Sequence, residues 1–201
     1  MKKIGIADRL LLLGTGVLAA YQVAVGIEGL ELLPIICYTV GFGALLVSGL
    51  LLMILGFEIL GSPITVIVST LIPLSLSLGL IVEYLPRFTG IYLVFSVAGF
   101  LIVAISRYTL HGKGAAMVLA PIHGIAGLLL FGLPIWLVLQ GSLASGFVMV
   151  GIGGALMGVG GLLLSFLKAG RPILSQTAIL SVLPALFFLT TTAFIYGFAQ
   201  V

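Results

Sequence analysis

Apolar residues fill this chain in long unbroken runs, parted by short breaks where glycine, proline and the few charged residues collect. A bilayer's hydrocarbon core takes about 20 apolar residues per helical crossing. Backbone inside it must satisfy its own hydrogen bonds, which leaves helices or closed barrels. Runs of this length predict helices. Seven crossings can be marked, at about 8–27, 33–55, 62–82, 88–106, 116–139, 144–167 and 173–196. The loops between them are short and no stretch remains for a soluble domain. The expectation is therefore an all-α, polytopic protein, a single transmembrane domain over 1–201 with any chemistry inside the bundle or at its rims.

Composition agrees. Of 201 residues, 62% are hydrophobic and 6% charged, with a mean hydropathy of +1.43, whereas soluble domains carry roughly 25% charged residues. The opening MKKIGIADRLLLLGTGVLAA also has the shape of a secretory signal peptide. Its apolar stretch continues through Tyr21 to Ile27, long enough to span, and is read as the first membrane helix.

Positive charges stay on the cytoplasmic side of short loops. With the N-terminus inside, Lys2, Lys3, Arg9, Arg107, Lys113, Lys168 and Arg171 lie inside and Arg87 alone outside, while Glu28, Glu31 and Glu83 fall on outer loops. The expected place is the plasma (inner) membrane, with the C-terminus outside. The net charge of +3 follows from this asymmetry and implies no nucleic acid partner. The bilayer itself is the expected partner, joined by other membrane subunits or further copies of the chain if it is an assembly component. Cys37, the one cysteine, reads as a small buried hydrophobe.

Two stretches echo each other. GSPITVIVSTLIP at 61–73 and GRPILSQTAILSVLP at 170–184 both open on Gly-x-Pro-Ile and close on proline. Before them, VGFGALLVSGLLL at 40–52 faces VGIGGALMGVGGLLL at 150–164. The pattern suggests that helices 1–3 (about 8–82) recur as helices 5–7 (about 116–196), with helix 4 (about 88–106) as linker. Both halves would have the same polarity, the parallel-repeat arrangement of some transporters, whose sites lie between the halves. This 3+1+3 layout is similar to that of the SWEET sugar transporters. The resemblance is one of layout: the N-terminus expected here is inside where that family's is outside, there is no Pro-Gln motif, and no residue role is carried over.

Pro63 and Pro172 are expected in the first turns of their helices, where a missing N–H costs nothing. Pro73, Pro121, Pro134 and Pro184 fall inside helices and free carbonyls that bend the helix or line a polar cavity. Gly154 and Gly158, with Gly151, Gly153, Gly160 and Gly161 around them, offer a surface for close helix packing. Gly41, Gly43 and Gly49 repeat the theme in helix 2.

No Asp, Glu, Lys or Arg falls in the middle of a span, which argues against a proton- or sodium-driven pump. His123 is the titratable group well inside, and bonding to the carbonyl freed by Pro121, contact with a substrate, and haem or metal ligation with His111 stand as its alternatives. The other polar atoms are neutral: Tyr21 and Gln22 in helix 1, Thr70 in helix 3, and Ser181 and Thr191 in helix 7. With His123 these are the candidate substrate-binding residues, unless their hydroxyls simply bond their own backbone. At the inner rim, Glu58 and Lys168 are placed to form a salt bridge between the halves. Three classes follow. The first is a small transporter or facilitator for a neutral or weakly polar molecule, the second a non-catalytic subunit of a membrane complex, and the third an enzyme or haem protein. The last is weakened by the absence of a carboxylate pair, metal-ligand cluster or nucleophile–base pair. No cofactor, metal or catalytic residue is assigned.

Overall fold

The structure, a computed structural model, describes residues 3–110 and 113–200. Among the described residues it is all-helical, with seven helices long and apolar enough to cross a membrane. They are α1 (Ile6–Val25), α2 (Leu32–Leu55), α3 (Pro63–Tyr84), α4 (Thr89–Thr109), α5 (Lys113–Leu139), α6 (Val148–Lys168) and α7 (Gln176–Phe198). Short 3-10 turns at Phe57–Gly61, Pro86–Phe88 and Ser145–Phe147 lead into α3, α4 and α6. His111, one of the two histidines, lies outside the described residues.

The helix ends follow local chemistry. Ser62 caps α3, its Oγ accepting from the Ile64 N–H at 3.3 Å, with Pro63 in the first turn. Ser175 caps α7 in the same way, accepting from the Ala178 N–H at 3.2 Å. Pro172 therefore stands in the loop before α7, not in its first turn, so the two Gly-x-Pro-Ile stretches are used differently. α1 and α2 stop at Gly26 and Gly56, whose φ values of 72° and 73° lie in the left-handed region that side-chain-bearing residues avoid.

The helices touch in the order α1, α2, α3, α5, α6, α7 and back to α1, a closed ring of six, while α4 packs against α3 and α5. Neighbours joined by a short loop are antiparallel: Gly41 and Gly79 of α2 and α3 meet Leu76 and Tyr38 respectively. The two contacts not made by consecutive helices are parallel. Along α1 and α7, Gly14 faces Phe188 and Leu12 shares a buried cluster with Leu180 and Leu183. Along α3 and α5, Leu74 clusters with Ile122 and Ala126 at one level, and Leu78, Leu80 and Ile81 with Leu130, Leu133 and Leu137 at the next. All the helices thus alternate between two rims. One rim holds the start of α1 and is called the N-terminal rim; the other is the far rim.

Glycines set the closest approaches. A Cβ on Gly154 would lie 2.9 Å from the Leu130 carbonyl carbon, and one on Gly151 2.7 Å from the Phe131 carbonyl oxygen. The α5 and α6 backbones are therefore in direct contact. On the other side of α6, Gly153 receives the Phe194 ring, and Gly197 of α7 receives Val150. The expected Gly154–Gly158 pair is only half used, because nothing lies within 4 Å of a Cβ on Gly158. In α2, Gly41 and Gly49 pack and Gly43 faces open space.

Candidate functional site: the ring interior and its two rims

At the far rim the centre of the ring is filled by aromatic side chains. Phe198, at the end of α7, lies 4.6 Å from Tyr38 and 6.0 Å from Phe42 of α2, measured between ring centroids. Its ring is also 6.0 Å from Phe147, which leads into α6, and Phe147 is 5.6 Å from Tyr84 of α3. These tilted and edge-on contacts are the arrangements that aromatic quadrupoles favour. Five rings thus join α2 and α3 to α6 and α7 across the interior, and all but Tyr84 are fully buried. Cys37 is buried in the same cluster.

Gln22 stands beside this plug. It is 8% exposed, its Nε2 donates to the Gly26 carbonyl at 2.7 Å, and with Tyr38 and Phe42 it lines a cavity of about 10 Å³. A water needs a cavity of about 10–15 Å³, so this space holds one water at most. A larger groove of about 320 Å³ lies between α1 and α2 at the N-terminal rim. Its walls, among them Ile6, Leu10 and Ile54, are exposed on the outer surface, so it opens away from the ring interior.

The remaining expected residues do not gather at one point. Thr70 and Thr191 are fully buried, and their hydroxyls donate to the Val66 and Phe187 carbonyls at 2.6 and 2.9 Å. Such bonds to the preceding turn satisfy a hydroxyl without any ligand. Ser181 does the same with the Thr177 carbonyl at 2.7 Å and is exposed on the bundle surface. Tyr21 is 55% exposed and also faces outward.

His123 is half-buried on α5, and its Nδ1 is buried without a hydrogen-bond partner. The carbonyl freed by Pro121 does not reach it. Nor does Glu58 pair with Lys168: the lysine Nζ donates instead to the Leu60 carbonyl at 2.6 Å, and Glu58 is exposed. The contact still ties α6 to the turn before α3. Among the described residues no three His, Cys, Asp or Glu side chains come together as metal ligands. Tyr92 is buried, with its hydroxyl 2.8 Å from Ser77 Oγ.

Searches against protein families, curated proteins and solved structures find no match to this chain. Sequence reasoning missed the aromatic plug, because phenylalanine in an apolar span looks like any other core residue. The i,i+4 spacing of Tyr38 and Phe42 at the start of α2 was the available signal.

Proposed function

We propose that this chain is a small membrane facilitator for a neutral or weakly polar molecule, with its path along the seam between α1–α3 and α5–α7 and the far-rim aromatic cluster as its gate. The observation that carries the reading is Phe198, which sits at the centre of the ring in contact with rings from both halves. The order of helix contacts supports it. Exchanging α1, α2 and α3 for α5, α6 and α7 leaves the ring unchanged and turns the α3–α5 seam into the α7–α1 seam. This is what a parallel triple-helix repeat with α4 as linker requires, and transporters built from such repeats place their sites between the halves. In this reading the N-terminal rim faces the cytoplasm of a plasma membrane, as the excess of Lys and Arg there demands.

The working motion is a separation of the halves at the far rim, which moves the Phe198 ring from between Tyr38 and Phe147. Edge-on aromatic contacts are worth about 0.5–1.5 kcal/mol each beyond burial, so opening against a few of them remains thermally accessible. The experiment is solute flux into proteoliposomes, followed by light scattering with urea, glycerol and hexoses as probes. Phe198→Leu should raise the flux of at least one of these above that of the unaltered protein. Equal, background-level flux for both proteins would defeat the reading.

The filled interior favours the second reading, a non-catalytic subunit of a membrane complex. That reading expects a fixed partner protein to stay with the chain through mild-detergent purification, and no solute flux.

A further inference from the structure

Three basic side chains lie in the halves of α4, α5 and α6 nearer the N-terminal rim. Arg107 closes α4, His123 lies within α5 and Lys168 ends α6. Arg107 is within electrostatic range of both of the others. Arginine is a permanent cation, yet Arg107 Nε is buried and has no partner, and neither has the buried His123 Nδ1. Lys168 makes its one hydrogen bond to a backbone carbonyl. No carboxylate balances this charge: among the described residues no ion pair reaches any of the three, and Glu58, beside the Leu60 acceptor, points to solvent.

Buried polar groups left unpaired in a protein call for explanation, and a bound ion is one of the recognised ones. The same corner also has an entrance. α5 and α6 touch at Leu130, Phe131, Gly151 and Gly154, but along the same helix faces toward the N-terminal rim, Gly124, Gly127, Gly158 and Gly161 have no neighbour within 4 Å of a Cβ. The two helices therefore part, leaving a gap beside His123, and the exposed Lys168 gives the corner an open side.

We infer that Arg107, His123 and Lys168 form a binding site for an oxyanion of the phosphoryl class. The guanidinium supplies a forked pair of donors suited to phosphate oxygens and the lysine a mobile point charge. The gap between α5 and α6 admits either a free phosphate from the aqueous side or the headgroup of an anionic lipid from the bilayer. The inference does not depend on the facilitator reading, because a structural subunit could hold the same ligand.

The test uses the full-length protein in detergent and in nanodiscs. Thermal unfolding is followed with inorganic phosphate, and separately with phosphatidic acid or phosphatidylglycerol in a phosphatidylcholine background. A saturable rise in the midpoint with inorganic phosphate assigns a free-phosphate site; a rise with the anionic lipids alone assigns a headgroup site. Either rise should vanish in Arg107→Gln and in Lys168→Gln and persist in the control Arg9→Gln, which alters an exposed base elsewhere on the same rim. Without anion, Arg107→Gln should unfold at or above the wild-type midpoint, since it removes an uncompensated charge. No rise with any anion, a rise that survives Arg107→Gln and Lys168→Gln, or a lower anion-free midpoint for Arg107→Gln would each overturn the inference.

Discussion

Substituting Gly154 by alanine should separate α5 from α6, and the size of the effect follows from the geometry. The new methyl would lie 2.9 Å from the Leu130 carbonyl carbon and 3.0 Å from the Leu130 oxygen and the Phe131 nitrogen. All three are backbone atoms, so no rotamer change relieves the clash. Carbon atoms pack best at about 3.5–4.0 Å, so the helices must part by about half an ångström. A gap of that size forfeits about a quarter of each dispersion contact along the seam. Overpacking of this kind costs about 1–3 kcal/mol. Gly158→Ala is the matched control, one turn along the same helix with nothing within 4 Å. There the methyl is free, and the higher helix propensity of alanine contributes up to about 1 kcal/mol of stability. The chain's single cysteine provides the assay. Cys37 is buried, so a maleimide dye that fluoresces on reaction with thiol reports unfolding during a temperature ramp. Gly154→Ala should melt below wild type and Gly158→Ala at or above it. Equal midpoints for the two variants, or the reverse order, would refute the close backbone contact.

Tyr92→Phe removes the hydroxyl bonded to Ser77 and so weakens the α3–α4 contact. The expected loss is about 0.6 kcal/mol, the average for hydrogen bonds between membrane helices, read from the same melt, and a Ser77→Ala/Tyr92→Phe double-mutant cycle should return a coupling of that size. Thr70→Val and Thr191→Val each delete a hydroxyl that bonds only its own helix. Each should change stability by less than about 1 kcal/mol and leave proteoliposome flux unaltered, whereas a selective loss of flux would make that hydroxyl part of the path.

The spans were legible because twenty-residue apolar runs admit few alternatives, and their ends moved by only a few residues. α7 shows where local chemistry decided: Gly170 and Pro172 drew the expected start forward, but the Ser175 side chain, three residues before the Ala178 N–H it caps, fixes it later. The glycines illustrate a different limit. Spacing marks Gly154 and Gly158 alike, yet only one meets a neighbour, because α5 and α6 diverge and sequence does not record a crossing point. The candidate site was the least legible part. Hydroxyls such as those of Thr70 and Ser181 stand out in an apolar chain, but the nearest carbonyl one turn back claims them first. Arg107 and Lys168, by contrast, were absorbed into the charge asymmetry of the loops, and the nearness of Arg107 to both His123 and Lys168 depends on how separate helices are placed, which no local pattern records.

The aromatic plug is the proposed gate, and Cys37 lies within its cluster. The most direct measurement is the rate at which a membrane-impermeant maleimide labels Cys37 in native-lipid vesicles, compared among wild type, Phe198→Leu and the control Phe166→Ala, which alters an exposed ring on α6. Slow labelling of wild type and Phe166→Ala with markedly faster labelling of Phe198→Leu is the expected result, with all three folded by their melting curves. Labelling of Phe198→Leu at the wild-type rate would mean that Phe198 does not hold the far rim shut.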